Sequence, residues 1–352
     1  MSREEHTAYM QRCFQLALNG RGTTAPNPMV GAVIVHQGRI IGEGWHRRAG
    51  EPHAEVMAVR AVKDKSLLRA STLYVNLEPC SHHGRTPACS TMIVREGIPR
   101  VVIANTDPNP LVAGRGIKAL ERNGVEVITG ILEREGNELN RFFFTCHQKK
   151  RPYVILKYAQ SADGYIAPPQ GRNVRISHIY FRLLTHKWRS EIQAILIGKN
   201  TLHLDNPRLD ARYWNGRDPI PVILGGRNTD YEARLFRTHP LVYVFSSTPP
   251  PPSMSHVRHF PLRDPNEILA QLCHDDIQSV LVEGGRHVLQ RFIDADLWDE
   301  LRVFTAPVRL GEGTPAPVAA RKVWLRTEHI AGDKLDYFYH PENAYIHDGR
   351  FL

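Results

Sequence analysis

Two stretches decide the reading: His53-Ala54-Glu55, and the run Leu77-Glu78-Pro79-Cys80-Ser81-His82-His83-Gly84-Arg85-Thr86-Pro87-Ala88-Cys89. Pro52 is placed to start a helix that carries His53 and Glu55 in its first turn and runs through Val62. Cys80 follows an expected strand, Thr72–Leu77, and Cys89 opens a helix expected to end by Gly97. One imidazole and two thiolates make three protein ligands for zinc, and a catalytic zinc keeps its fourth position for water. Bound zinc lowers the pKa of that water from roughly 15.7 to about 7. Glu55, two residues from His53, can reach the water without being a ligand and can act as general acid and base. A competing reading stays open: His82 or His83 as a fourth ligand would close the site and make it structural.

Outward from this constellation, the chain alternates strands and helices. An amphipathic helix over residues 4–19 stops at Gly20; Met29–Val35 and Arg39–Gly42 form a hairpin about Gln37-Gly38. After the metal ligands come strand Val101–Ala104, helix Ile117–Asn123 closed by Gly124, and strand Val125–Thr129. The polar segment Thr145–Pro152 is the expected linker. Beyond it the alternation restarts, with strands at Tyr153–Tyr158, Ala194–Ile197, Val222–Leu224, Val242–Phe245 and Ser279–Val282, and helices at Tyr180–Ser190 and Glu267–Cys273. That pattern predicts a second, mostly parallel sheet. Glu283-Gly284-Gly285 and Gly225-Gly226-Arg227 are strand-end turns whose backbone N–H groups could cradle a phosphate or be merely structural. No internal repeat is visible, so the halves are expected to be different domains.

Length and composition agree. A chain of 352 residues exceeds one hydrophobic core, and 42% hydrophobic with 23% charged residues is ordinary globular usage. No apolar run is long enough to span a membrane, and the start is too polar and mixed in charge for a signal peptide. The five cysteines are an odd, sparse set, which fits a reducing cytoplasm. The net charge of +9 divides into +6 over residues 1–150 (20 Lys+Arg against 14 Asp+Glu) and +3 over the rest (25 against 22). No block of like charge stands out, so phosphorylated small ligands suit it better than nucleic acid. A nucleic-acid or nucleoside deaminase would carry its cysteines as C-x-x-C, whereas here eight residues intervene. The inserted polar loop could hold a substrate phosphate or ribose, or be a plain solvated loop. A zinc-stabilised nucleic-acid-binding protein would need a concentrated basic face that the sequence lacks.

With these residues in place the sequence resembles the bifunctional deaminase–reductases of riboflavin biosynthesis. The likeness is carried by Ala25-Pro26-Asn27-Pro28 with Val30-Gly31-Ala32, Gly44-Trp45-His46, His53-Ala54-Glu55, Leu77–Cys89, Asp107–Gly116 and Leu139–Phe144. It continues through Lys157–Ala167, Gly198–Arg212 and Val282–Gly285, from about residue 5 to about 312. The resemblance implies an α/β protein: a cytidine-deaminase-like zinc domain over 1–147, then a dihydrofolate-reductase-like (Rossmann-like) domain over 148–352. It implies Zn2+ in the first and NADPH in the second, a phosphoribosylaminopyrimidine substrate, and a cytoplasmic homo-oligomer without nucleic-acid or membrane partners. The first domain would hydrolyse the 2-amino group of 2,5-diamino-6-(5-phosphoribosylamino)pyrimidin-4-one; the second would reduce the ribosyl chain to ribityl.

By motif match, Asn27, His46, His82 and Arg85 would hold the deaminase substrate around the His53, Cys80, Cys89 metal site and the catalytic Glu55. Ala159, Arg175, Thr201, Asp205 and Gly285 would touch the cofactor. Lys157, Ser177, Arg189, Leu209, Arg212 and Glu283 would face the reductase substrate. Taken alone, Arg189 beside Glu191 and Arg212 beside Asp210 could equally be surface ion pairs. Some positions depart from the family: Arg175 stands where Trp is common, Asn173 for Ser, Ala88 for Pro, and the Gly225-Gly226-Arg227 turn lacks the usual Asp. The last 40 residues match least, and no function is expected of them.

Overall fold

The computed structural model describes residues 2–81, 88–109, 112–169, 176, 178–227 and 229–351. The chain divides into two units, Met1–Lys149 with Tyr345–Leu352, and Lys150–Ala344.

In the first unit, α1 (Arg3–Ala17) is followed by β1 (Gly31–His36), β2 (Arg39–Trp45), α2 (Ala54–Ala61), β3 (Thr72–Leu77) and α3 (Cys89–Arg95). Then come β4 (Arg100–Asn105), α4 (Arg115–Arg122), β5 (Glu126–Ile128), α5 (Glu133–Leu139) and α6 (Arg141–Lys149). A capping box starts α1: the Glu5 N–H donates to the Ser2 hydroxyl, and the Ser2 N–H donates to the Glu5 carboxylate at 2.7 Å. The sheet runs β2-β1-β3-β4-β5, with β1 antiparallel to β2 and β3, and β3, β4 and β5 parallel.

The period of two along β1 divides the core. Ala32 and Ile34 pack with Ala58, Val59 and Ile93 of α2 and α3. Val33 and Val35 pack on the other face with Met10, Phe14 and Ala17 of α1. Burial on both faces is why β3 reads as an unbroken apolar run.

In the second unit the elements are β6 (Tyr153–Gln160), β7 (Tyr165–Ala167), α7 (Ile179–Glu191), β8 (Ala194–Gly198), α8 (Lys199–Asp205), β9 (Ile220–Gly226), α9 (Leu235–Thr238) and β10 (Val242–Ser246). They continue with β11 (Val257–Phe260), α10 (Pro265–His274), β12 (Ser279–Val282), α11 (Arg286–Asp294), β13 (Glu300–Thr305), β14 (Thr314–Pro315), β15 (Val323–Ile330) and β16 (Asp333–Tyr339). The nine-stranded sheet has the order β11-β10-β9-β8-β12-β6-β13-β16-β15. Its first seven strands are mutually parallel, while β16 is antiparallel to both neighbours. Strand alternation again serves two faces: Leu196 and Val222 join the Phe292 and Trp298 side, and Ile195 and Ile223 the Leu235 and Phe236 side.

The boundary between the units, Lys149/Lys150, falls inside the expected linker Thr145–Pro152, but the first part of that segment is helical: α6 continues to Lys149, because Phe143, Phe144 and Thr145 supply it a buried face. One expectation is corrected. The last residues do not belong with the second unit, where the resemblance would place them. Tyr345–Leu352 packs on the first, with Phe351 against Phe14 and Tyr345 against Phe144. The wholly buried carboxylate of Glu138 on α5 accepts the N–H groups of His347, Asp348 and Phe351. Among the described residues no helix is long and apolar enough to cross a membrane.

Candidate active sites

The first site is assembled by close packing of α2 on β2. A Cβ on Gly42 would meet the Ala58 carbonyl oxygen at 2.4 Å, and one on Gly44 would meet the Ala58 nitrogen at 2.4 Å. Only glycine at these two same-face positions lets the helix lie flush on the strand. That sets its N-cap, His53, at the mouth of the sheet. Cys80 lies just past the end of β3, and Cys89 begins α3. Their donor atoms converge. His53 Nδ1 is 3.7 Å from Cys80 Sγ and 3.3 Å from Cys89 Sγ, and the three ligand atoms lie within 4.8 Å of one another. The Cys89 N–H donates to Cys80 Sγ at 3.3 Å, as expected of a thiolate beside a helix start.

The donor chemistry fits zinc: two soft thiolates and one imidazole, closely grouped and part-buried. Electrostatics agree. The Cys89 hydrogen bond and the His53 imidazole draw Cys80 well below the ordinary thiol range, against the opposing pull of burial. Cys89 is pushed up because it shares that proton and is buried. A dication would hold both as thiolates. Glu55 is buried in the first turn of α2, and burial raises its carboxyl above the ordinary glutamate range, with His53 partly offsetting.

Asn27 and His46 come together beside the metal ligands. Asn27 Nδ2 is 3.0 Å from His46 Nε2, and the His46 ring stands edge-on to His53 with centroids 5.5 Å apart. His46 Nδ1 lies 3.2 Å from the Pro52 carbonyl oxygen, which fixes its orientation. His82 and Arg85 lie outside the described residues, as do Arg175, Ser177 and Asn173 of the second half.

Sequence reasoning overlooked two supports. Asn76, fully buried on β3, accepts the Gly31 N–H at 2.7 Å and donates to the Met29 carbonyl at 3.0 Å, anchoring the loop that carries Asn27. Glu78 accepts four backbone N–H groups, from Asp107, Gly114, Gly116 and Ile117. It thereby ties the Asp107–Gly116 loop to the strand that ends at Cys80. The signal was a carboxylate directly before Pro79-Cys80, a position where a charge needs internal partners.

The second site lies at the carboxyl ends of the parallel strands, where open α/β sheets bind ligands. A cavity of about 1010 Å³ there is lined by Ala159, Thr201, Asp205 and Gly285, four of the residues expected to touch the cofactor. A smaller pocket of about 310 Å³ is lined by Arg189, Leu209 and Arg212. Lys157, Asp205 and Glu283 line both. Gly285 caps α11 with extended backbone, leaving the first N–H groups of that helix facing the larger cavity.

Arg189 is not the surface partner of Glu191, which pairs with Lys187 at 2.8 Å. It grips Glu283 through Nε and Nη2 at 3.1 and 2.8 Å. Burial alone would raise Glu283, but Arg189 and then Lys157 outweigh it and hold the carboxyl down at about 2. Lys157 itself is lowered, because its burial exceeds the help of a Glu283 oxygen 3.9 Å away. Arg212 does pair with Asp210, and its guanidinium lies 4.8 Å over the Tyr213 ring. Leu209 is buried with a left-handed backbone, φ 57°.

One pocket residue was missed. His186, one turn before Arg189 on α7, is buried; its Nδ1 has no hydrogen-bond partner among the described residues. Burial, then Arg189 and Arg212, lower it to about 4, so it is neutral at pH 7.

The two sites define a zinc-dependent deaminase domain followed by a reductase domain. Family models agree. The cytidine and deoxycytidylate deaminase zinc-binding region matches residues 3–105, and the RibD C-terminal domain matches 152–330. The chain belongs to the RibD family of riboflavin biosynthesis proteins, and is a bifunctional deaminase–reductase of that pathway. It is 38% identical to the riboflavin biosynthesis protein RibD of Aquifex aeolicus, over 89% of this chain and 90% of the relative. With that of Bacillus amyloliquefaciens it shares 40%, over 88% and 86%. Among solved structures it superposes on Acinetobacter baumannii RibD with a TM-score of 0.91 at 32% identity, covering 97% of this chain and 100% of the other. The diaminohydroxyphosphoribosylaminopyrimidine deaminase/5-amino-6-(5-phosphoribosylamino)uracil reductase of Thermotoga maritima gives 0.87 at 37% identity, with 96% and 99% covered.

Proposed function

We propose that the first domain hydrolyses the 2-amino group of 2,5-diamino-6-(5-phosphoribosylamino)pyrimidin-4-one, and that the second reduces the resulting ribosylaminouracil to its ribityl form with NADPH. The carrying observation is the convergence of His53, Cys80 and Cys89 within 4.8 Å, with Glu55 buried beside them. Zinc, when bound by these three residues, supplies the acidity that makes water a nucleophile at neutral pH. Glu55 moves the proton: its carboxylate takes one from water as the water oxygen bonds to the ring carbon and returns it to the amine as the C–N bond breaks, so that ammonia departs, the oxygen stays as the ring carbonyl, and the second water proton rests on the ring nitrogen. Asn27 and His46, locked together at 3.0 Å, present one polar edge to the pyrimidine. His82 and Arg85 are proposed to hold its phosphoribosyl group from the loop between the cysteines.

In the second domain, Ala159, Arg175, Thr201, Asp205 and Gly285 are proposed to hold NADPH. Ser177, Leu209 and Arg212 position the substrate with Lys157, Arg189 and Glu283. The bidentate Arg189–Glu283 pair fixes both side chains, and among the described residues Lys157 is the one lysine or arginine that lines both cavities. The dinucleotide supplies the hydride, and the protein supplies position and charge. The same reading carries a homo-oligomer in the cytoplasm, open to test by light scattering and cell fractionation. The decisive experiment is mass spectrometry of products formed from the diaminopyrimidine. A one-dalton gain without NADPH and a further two-dalton gain with it are expected. An unchanged mass would overturn the reading.

A further inference from the structure

The tail that returns to the first unit presents one carbonyl oxygen to two guanidinium groups. Arg21 Nη2 donates to the Phe351 carbonyl at 3.0 Å, and Arg141 Nη1 donates to it at 3.3 Å. Arg141 is buried at the start of α6, and the same nitrogen donates to the Glu138 carbonyl at 3.1 Å. The Glu138 carboxylate in turn holds the N–H groups of His347, Asp348 and Phe351. The tail is thus fastened to the junction of α5 and α6 from both sides of its own backbone.

Each of these anchors leads to the loop that carries Asn27. Arg21 belongs to that loop. Its neighbour Gly20 lies against His46: a Cβ there would stand 2.8 Å from the His46 carbonyl oxygen and 2.6 Å from Thr24 Cγ2. The Thr24 carbonyl accepts the Asn27 N–H at 2.9 Å. At the other end of the loop, Asn140 sits in sequence between Glu138 and Arg141 and holds Met29 twice. Its side-chain oxygen accepts the Met29 N–H at 2.8 Å, and its amide donates to the Met29 carbonyl at 2.9 Å. Tyr345 joins a buried cluster with Leu77, Phe143 and Phe144, and Val30 packs against it. The tail therefore meets the loop directly at Arg21, and through Asn140 at Met29. These points lie on either side of Asn27, whose amide is 3.0 Å from His46 Nε2.

We infer that the segment Tyr345–Phe351 is a positioning element of the deaminase site, holding the Asn27 loop in the geometry that receives the pyrimidine. This rests on the reading of Asn27 as a substrate contact. A loop left to itself samples many conformations and gives up that freedom when substrate binds, whereas a loop fixed at both ends is already in place. Loss of the tail contact therefore falls on substrate binding rather than on the metal chemistry. The residues synthesised last, after the whole reductase half, complete the substrate edge of the first domain.

The test follows ammonia release from the diaminopyrimidine at varied substrate concentration, together with zinc content. It compares the full-length protein, Arg21→Met, Arg21→Lys, a chain ending at Arg350, and that shortened chain carrying Arg21→Met. Arg21→Met should raise the deaminase KM roughly tenfold, the loss of one hydrogen bond from a charged donor, with kcat within about twofold and one zinc per chain. Arg21→Lys should recover part of the loss. The shortened chain should show at least the same rise, and Arg21→Met should then add less than about twofold, because its partner is already gone. Reduction of deaminated substrate should be unchanged throughout. A KM unmoved by Arg21→Met, or its full effect persisting in the shortened chain, overturns the inference. So does a joint fall of kcat and zinc at constant KM, which is the signature of a tail that only stabilises the domain. If wild type releases no ammonia from the diaminopyrimidine, the reading of the first domain falls, and this inference with it.

Discussion

The two sites of this chain are built in opposite ways. The candidate metal site takes its donors from two short motifs, one at the N-cap of α2 and one spanning the end of β3 to the start of α3. The reductase site draws single residues from the ends of β6, β8, β9, β11 and β12. The first is specified by local chemistry, since three donors of the right kind must meet. The second is specified by sheet order, since residues more than 120 positions apart, such as Lys157 and Glu283, become neighbours only when β12 pairs with β6. A local site should fail sharply when one residue changes. A distributed site should fail by degrees.

The largest effect tests the first half of that contrast. Glu55→Gln should retain one zinc per chain by elemental analysis yet lose ammonia release by about a thousandfold. Full ammonia release with full zinc would remove Glu55 from the mechanism. Reductase turnover measured on deaminated substrate should be untouched, because Glu55 belongs to the first unit alone.

Arg189→Met probes the distributed site. It leaves Glu283 buried without its bidentate partner, which should cost about 3 kcal/mol in the denaturant midpoint of the second unit. The reductase KM should rise while zinc content and deamination stay constant. An unchanged midpoint would mean that Lys157 or solvent replaces Arg189 without penalty.

Phe351→Ala tests whether the returning tail matters to the first unit. Phe351 is buried against Phe14, so the substitution should cost about 3 kcal/mol. Amide exchange should quicken in α1 and α5, and not in the second unit. Equal protection in both proteins would make the tail a passive passenger.

The smallest effect is on pH. Glu283 is held at about 2, below the ordinary glutamate value. Its contribution is therefore complete above that ordinary value and is lost as pH falls toward 2. Urea midpoints of the second unit should drop over that window in wild type, and Glu283→Gln should show a shallower fall. Parallel curves would show that Arg189 does not depress this carboxyl.

Legibility followed the same division. Strands β3 and β12 stand where the apolar runs placed them, at Thr72–Leu77 and Ser279–Val282. The metal trio was readable because His, Cys and Cys in that order and context have few other uses. Elements without their own pattern were not: α6 reads as polar from Thr145 onward because the phenylalanines of its buried face, Phe143 and Phe144, lie upstream of that run, and Thr145, also buried, is itself polar. His186 carried no motif, and only packing against Tyr213 and beside Arg189 gives it a place in the pocket. Arg189 could be read as a partner of Glu191, its neighbour in sequence. The fold instead turns it toward Glu283, 94 residues away.

The sequence by itself determined the two-part α/β organisation, the grouping of His53, Cys80 and Cys89 as a candidate metal site, and the family. These rest on residue chemistry and short-range periodicity, which are written locally along the chain. Only the tertiary structure decided that Tyr345–Leu352 returns to the first unit, that Glu78 and Asn76 brace the loops of the metal site, and that Lys157 and Glu283 line the same two cavities. Those depend on strand order and on the partners a buried polar group must find, which no window of sequence contains.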